Sequence, residues 1–457
     1  MVLQGPWNPG VAGRSTWPQG ILTLADEARF GGYEEALAFF GGEQWRETPR
    51  RGDPPQLVFN YARALIRKTA SYVFPAPVGI SVVPEDESPD VANRAERRLI
   101  ALRDALDLTR LDLALTLDSA VLGDAAMKVT WDHEASQPRV VPVDPGTLVA
   151  RWAPDNSRAV EAMTQGYALT GQEIGRLFPS SSESLDAGRR YPVIEEWTPA
   201  RWRVLVAGQV VRDGPNPYGW IPYIVVANDP RPVSFWGTSD LDDLMDVCRE
   251  LNRRMTVLSH VLELSGAPIA VLENVDGSEG IRVGPGAKWE LPEGSRAYLL
   301  DLLQGGGAEI HLRYIDVLFR VLHDLSETPR TAFGDSGRNL SGAALEVEIQ
   351  PLVQKVGRKR RMWDGVFVTR NAMLLDLLER FGGEDLGGLR RTETMWPPVL
   401  PSDATSAVRN AVSLVRGGIQ SRRSAMASLG ENDPDAELAR IQEEVMPDRL
   451  ATPSPRA

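Results

Sequence analysis

The chain has 457 residues, 42% of them hydrophobic, and carries 62 acidic against 50 basic side chains for a net charge of −12. That length and apolar content suffice for two to four packed regions and exclude a disordered scaffold. The acidic balance argues against a protein that grips nucleic acid by many phosphate contacts, because such binding is driven by counterion release from clustered Lys and Arg.

Cys248 is the lone cysteine, so no internal disulfide forms; its place on an apolar helical stripe reads as a buried small residue rather than a nucleophile. A reducing, intracellular setting is permitted. Arg far outnumbers Lys, which fits either a GC-rich genome or ion-pair networks selected at high temperature. Met1 to Trp17 lacks a basic segment followed by an apolar run, and no stretch of about 18 uninterrupted apolar residues occurs, so the expectation is a soluble protein with no membrane partner.

In chain order, residues 1–20 are rich in Pro, Gly and Trp and read as an extended arm. Helical spacing follows over Leu22 to Phe40 with a break at Gly31-Gly32, Leu57 to Phe74, Val91 to Leu106 and Leu108 to Leu122, with a strand-like Val78 to Val83 among them. Strand signals continue at Ala126 to Trp131, Arg139 to Val143, Pro192 to Trp197, Arg201 to Val206 and Gln209 to Arg212, which reads as antiparallel sheet. Prolines from Pro215 to Pro232 then make a stiff crossing.

From Thr238 to Thr328 two amphipathic helices enclose a small β insertion. The first has Leu241, Leu244, Met245, Cys248, Leu251, Met255, Leu258 and Leu262 on one stripe, with Ser239 as its expected cap. The second has Ile310, Tyr314, Val317, Leu318, Val321, Leu322 and Leu325 and stops at Pro329. The insertion, Ala267 to Gln304, holds β-prone runs at Ile269 to Leu272, Ile281 to Val283, Lys288 to Leu291 and Ala297 to Leu300, separated by Gly- and Pro-containing turns. So few short strands bury too little apolar surface to stand alone, so the module needs neighbouring copies or a partner. Pro329 to Leu340 is a polar loop, and a long helix from Ser341 to Gly382-Gly383 carries Pro351, where a kink is expected. Short helices follow at Asp403 to Val415, Ser421 to Leu429 and Pro434 to Val445, then a disordered tail.

Chemistry-bearing patterns are few. Lys355, Arg358, Lys359, Arg360 and Arg361 form the densest basic run; it reads as a solvated helix face paired with acidic neighbours, with contact to DNA as the second reading. Gly284-Pro285-Gly286-Ala287-Lys288 lacks the spacing of a phosphate loop and reads as a β turn. Asp132-His133-Glu134 cannot converge on one ion from a strand, and His260, His311 and His323 have no partner at ligand spacing. No catalytic site, metal site or cofactor is expected.

The order of the pieces resembles the portal protein family of tailed bacteriophages, the head-to-tail connectors. The match rests on Gly41-Gly42-Glu43-Gln44-Trp45, Asn60 to Phe74 followed by Pro77-Val78, Val121 to Ala126, Tyr218-Gly219-Trp220-Ile221-Pro222, Gly237 to Leu241 and Leu251-Asn252. It continues through Leu340 to Leu345, Gln350-Pro351-Leu352, Ile419 to Arg423 and Glu437 to Glu444. The resemblance implies an α+β portal-type fold: a wing of mixed helices and antiparallel sheet, a helical stem, a small β clip and a helical crown. On that reading residues 1–20 are the arm, 21–237 the first part of the wing, 238–266 and 307–328 the stem helices, 267–306 the clip, 329–340 the tunnel loop, 341–383 the kinked wing helix, 384–445 the crown and 446–457 a disordered tail. This crown is short for the family.

The resemblance further implies a homo-oligomeric ring, typically dodecameric in the virion, assembled in the host cytoplasm and set at one capsid vertex. Double-stranded DNA passes through it in packaging and ejection, and its partners are the terminase large subunit, a head-tail adaptor, and the major capsid and scaffolding proteins. The implied channel residues are Pro329, Arg330, Thr331, Phe333, Asp335, Arg338 and Asn339, and the implied docking surface of the clip is Val275, Asp276, Glu279, Arg282, Lys288, Glu290 and Glu293. Within the loop, Arg330 and Arg338 against Asp335 make a mildly DNA-attracting ring, and Phe333 packs between neighbouring loops rather than stacking on duplex. A chain through which DNA slides should lack deep phosphate sites, and an acidic one meets that need. The alternatives are another ring-forming head-tail adaptor, for which this chain is long, and a packaging nuclease or ATPase, whose phosphate loop and acidic metal cluster are not found.

Overall fold

The structure is a computed structural model that describes residues 17, 21–48, 55–84, 88–179, 185–266, 269–274, 293–300, 307–335, 342–400, 404–431, 434–435 and 437–442. Its elements in order are α1 (Leu24–Gly41), α2 (Tyr61–Val73), β1 (Gly79–Val82), α3 (Pro89–Ala105), α4 (Leu108–Leu122), β2 (Asp124–Asp132), β3 (Gln137–Val143), β4 (Leu148–Ala153), β5 (Asn156–Thr170), α5 (Gly171–Leu177), β6 (Arg190–Trp197), β7 (Arg201–Val206), β8 (Gln209–Pro215) and β9 (Tyr223–Ala227). There follow α6 (Met245–Gly266), β10 (Ile269–Glu273), β11 (Arg296–Leu300), α7 (Gly307–Leu325), α8 (Gly342–Arg380), β12 (Thr392–Met395), α9 (Ala404–Arg416) and α10 (Arg422–Ser428). This is a mixed fold of helix and antiparallel sheet. The chain divides into two compact units, one of residues 1–37, 66–240 and 339–457, the other of 38–65 and 241–338.

In the first unit, β4 to β8 form a five-stranded antiparallel meander and β3-β2-β9 a three-stranded sheet. Alternation explains the meander's core: Val193, Val204 and Val206 point to one face and pack with Leu169 and with Ile174 of α5. α5 begins with a reciprocal cap, in which Thr170 Oγ1 accepts from the Glu173 N–H and the Glu173 carboxylate accepts from the Thr170 N–H. Glu195 of β6 joins the two sheets, accepting from Lys128 Nζ of β2 at 2.6 Å, from Tyr167 and from Trp197. α8 lies against this body with Trp363, Phe367, Leu374, Leu375, Leu377 and Leu378 buried. Phe74, Trp363, Phe367 and Trp396 form an aromatic cluster, with Phe74 edge-on to Trp363 at 5.2 Å.

In the second unit, α6 and α7 pack along Leu251, Leu258, Ile315, Leu318 and Leu322. The ring of Tyr61 meets Phe319 edge-on at 4.7 Å, and the Arg254 guanidinium lies over Tyr314 at 5.3 Å. β10 and β11 pair antiparallel, Ile269 opposite Leu300 through Glu273 opposite Arg296. The expected strands at 281–283 and 288–291 lie outside the described residues.

Several sequence expectations need correction. α1 runs unbroken through Gly31 and Gly32; burial of Phe30, Tyr33 and Ala36 offsets the roughly 1 kcal/mol each helical glycine costs. The helix expected to start at Ser239 starts at Met245, and the Ser239 hydroxyl donates instead to the Val121 carbonyl at 2.5 Å. The proline-rich crossing contains β9, and β4 and the 15-residue β5 carry no clean alternation; register shifts at Arg151 and Trp152 interrupt it. Of the N-terminal arm, Trp17 is described and is buried, its ring stacked on Phe30 and in contact with Gly166, where a Cβ would come within 3.0 Å.

Candidate functional site

In the second unit, the buried Gln44 gathers three distant segments. Its amide donates to Asn60 Oδ1 at 3.0 Å and to the Phe39 carbonyl, and its Oε1 accepts from Asn252 Nδ2 at 2.6 Å. Asn252 Oδ1 accepts from the Phe59 N–H, and Thr256 Oγ1 from the Leu57 N–H. Backbone that forms no helix or sheet here is thus satisfied by side chains, as burial demands. Gly41 to Trp45, Asn60 and Leu251-Asn252 are among the segments on which the family resemblance was read, and this network is what they build.

The first unit holds a second such knot, where α4 turns into β2. Gly123 has φ +94°, and its carbonyl accepts from the Asn228 N–H at 2.8 Å. Asp124 accepts from the Gly237 N–H at 2.8 Å and from the Tyr33 hydroxyl at 2.5 Å. A Cβ on Gly237 would lie 2.3 Å from the carbonyl oxygens of Asn228 and Gly123, so only glycine allows the approach. Asp240 closes the knot. Its N–H donates to the Ala120 carbonyl, its Oδ1 accepts from Asn228, and its carboxylate meets Lys359 at 2.9 Å and Lys355 at 3.4 Å.

That pairing revises the reading of the basic run. Lys359 and Arg360 are 6% and 7% exposed; neither lies on a solvated face. Arg360 donates to the carbonyls of Tyr72, Val73 and Pro397 and covers the Trp396 ring. Lys355 is largely buried against Asp240, and only Arg358 and Arg361 lie exposed. Burial drives Asp240 up, but Lys359 and Lys355 outweigh it and hold the carboxyl at about 2. The spacing of Lys355, Lys359 and Trp363 at i, i+4 and i+8 carried the signal: cations that share a stripe with an apolar residue face inward. A second buried pair, Arg370 with Asp112 at 2.5 and 3.1 Å, was not read from the sequence.

The loop after α7 begins with a tight reversal. Glu327 has φ +50°, and the Thr328 N–H donates back to the His323 carbonyl. Arg330 to Phe333 form one 3₁₀ turn that Gly334 ends at φ +84°. Arg330 and Asp335 pair with each other at 2.6 Å, both about half exposed, so the positive charge expected of Arg330 is offset within the loop and the pair adds under about 1 kcal/mol. Thr331 is half-buried, its Oγ1 hidden and without a hydrogen-bond partner among the described residues. Phe333 is 41% exposed and meets the His323 ring at 6.0 Å, 69° between planes. Arg338 and Asn339 lie outside the described residues, as do Val275, Asp276, Glu279, Arg282, Lys288 and Glu290 of the expected docking surface; Glu293 is exposed.

Among the described residues no three His, Cys, Asp or Glu stand together as metal ligands, and no helix is long and apolar enough to cross a membrane. Asp132 shapes a turn, accepting from the N–H groups of Glu134 and Ala135. Burial pushes the Cys248 thiol up to about 11, which keeps it protonated and unreactive. A groove of about 1100 Å³ in the first unit is lined by Tyr72, Ile80, Ile100, Met395, Val408 and Leu429. Among its ionic groups, Arg423 pairs with both Glu96 and Asp435.

In both units, interior polar groups hold distant segments of the chain together. Residues 33–446 match the family described as phage portal protein, SPP1 Gp6-like. The chain belongs to that family, a structural one of the phage capsid. No curated protein sequence matches the chain.

Proposed function

We propose that copies of this chain close into a ring, dodecameric in the virion, at one capsid vertex, through which double-stranded DNA enters during packaging and leaves on ejection. The observation that carries the reading is the family match across residues 33–446. Residues 238–266 and 307–328 serve as the stem, 267–306 as the clip, 329–340 as the tunnel loop, 21–237 with 341–383 as the wing and 384–445 as the crown. The clip receives the terminase large subunit and later a head-tail adaptor, and the outer surface meets major capsid and scaffolding proteins.

An apolar stripe supports the ring. Ile310, Tyr314 and Val317, at i, i+4 and i+7 on α7, are 70%, 41% and 43% exposed and lie beside the buried stripe of Ile315, Leu318 and Leu322. A second apolar face at helical spacing is what a neighbouring copy would cover. The acidic chain suits a channel in which duplex DNA must slide rather than bind.

Light scattering with mass determination and electron microscopy down the ring axis test assembly; a stable monomer at micromolar concentration refutes it. Deleting Val275 to Pro292 is expected to abolish packaging, and normal packaging would remove the docking assignment. In a ring inserted as a nanopore, Phe333→Ala is expected to raise conductance and Arg338→Glu to shift selectivity towards cations. No change in either variant would place the constriction elsewhere.

A further inference from the structure

The loop 329–335 leaves α7 through an interaction that the channel reading does not by itself require. The His323 Nδ1 lies 2.6 Å from the carbonyl oxygen of Thr328. A carbonyl only accepts, so this nitrogen carries the proton and the ring is held in one tautomer and one orientation. The same residue accepts twice through its backbone carbonyl, from the Thr328 N–H at 3.1 Å and from the Ser326 hydroxyl at 3.2 Å. His323 thus closes a ring of bonds around Ser326, Glu327 and Thr328, and Glu327 is held inside it at positive φ, a conformation that a free chain rarely adopts. Ser326 and Thr328 are 2% and 0% exposed, so the reversal is fixed at its base.

What the ring does with its other edge is the consequence. Phe333, five residues beyond Thr328, packs tilted against the imidazole. Between them lies only the single 3₁₀ turn, with its Ala332 N–H on the Pro329 carbonyl and its Gly334 N–H on the Thr331 carbonyl. The Arg330–Asp335 pair across the loop is exposed and salt-screened, a weak determinant of shape. We infer that His323 is the positioning residue of the loop: hydrogen-bonded to the Thr328 carbonyl on one side and packed against Phe333 on the other, it sets where Phe333 projects from the end of α7. The inference rests on the channel reading for its functional meaning, and its geometry stands apart from that reading.

Two substitutions separate the two sides of the ring. In His323→Asn the side-chain amide can place a donor near the former Nδ1, keeping the bond to Thr328 while removing the surface behind Phe333. In His323→Phe a ring remains for Phe333 and the bond is lost. Amide hydrogen exchange of peptides spanning residues 324–335, measured in the full-length assembled protein, reads both. His323→Asn should leave the Thr328 amide near its original rate and speed exchange at Ala332 and Gly334 by roughly two- to tenfold. His323→Phe should speed Thr328 by a similar factor and affect Gly334 less. Unchanged exchange throughout this segment in both variants overturns the inference. Single-channel conductance, with Phe333→Ala as reference, then separates it from the channel reading. Shifts in the same direction in His323→Asn and Phe333→Ala tie the ring to the pore. Altered exchange with conductance unchanged in all three variants upholds His323 as the loop's anchor and refutes the constriction.

Discussion

Replacing Lys359 with methionine keeps most of the aliphatic stem and removes an ammonium from a position only 6% exposed. That ammonium lies 2.9 Å from the Asp240 carboxylate and donates to Asn228 Oδ1, while Lys355 stands 3.4 Å from the same carboxylate. Asp240 is held at about 2 rather than 3.8. At about 1.4 kcal/mol for each tenfold change in proton affinity, the difference corresponds to roughly 2–3 kcal/mol of stability. Because the folded value lies below the unfolded one, this contribution is fully present above pH 3.8 and is lost as the pH falls through about 2. Lys359→Met leaves a buried carboxylate with Lys355 alone, so the expected loss at pH 7 is about 2–4 kcal/mol, the upper end being the cost of breaking a buried pair. Urea unfolding followed by circular dichroism measures it, with Asp240→Asn and the double variant completing a cycle. The double variant should lose less than the sum of the singles, and the deficit of the Lys359 variant should fall to about half at pH 3. A deficit under about 0.5 kcal/mol at pH 7, or one equal at pH 7 and pH 3, would refute the buried cluster. A fully stable variant whose DNA passage changed its salt dependence would restore the DNA-contact reading of the run.

Burial and then the nearby charge of Asp144 push Asp118 up to about 6, so stability should fall as the pH rises from about 4 to 6; Asp118→Asn is expected to gain about 1–3 kcal/mol at pH 7.5 and little at pH 4, and an equal gain at both overturns this. Arg370→Met should cost about 3–5 kcal/mol by stranding the Asp112 carboxylate, and adding Asp112→Leu should recover most of it; a coupling below about 1 kcal/mol in denaturant unfolding would argue against the pair. Gly237→Ala drives a Cβ into two carbonyl oxygens and should destabilise by about 3 kcal/mol or more, so a thermal unfolding curve matching wild type would show that this close approach does not form.

Local patterns that depend on neighbours in the chain are legible in the sequence. Periodicity placed α4 at its observed ends and α7 within about three residues of them, and alternation placed β2, β3, β6 and β7. Residues such as Gln44, Asn60 and Asn252 were legible only as fragments of a family resemblance; nothing in their spacing says that one amide serves two segments. β4 and β5 went unread because bulges and half-polar faces erase the period of two. His323 looked like a solitary helical histidine, since its partners, a carbonyl five residues on and a phenyl ring ten residues on, follow a reversal that helical spacing does not extend across.

The sequence by itself determined the class of the elements, the order of the family's motifs and the acidic balance of the chain, because propensity, period and net charge are sums over neighbours. Tertiary structure alone decided which charges are interior. Lys355, Arg358, Lys359, Arg360 and Arg361 are equivalent as a basic run, yet Lys359 and Arg360 are buried while Arg358 and Arg361 remain exposed. The difference is which side of α8 meets Asp240 and the carbonyls of Tyr72 and Val73, partners 119 to 288 residues away in the chain. A buried cation survives only where such partners converge, and convergence is a property of the fold.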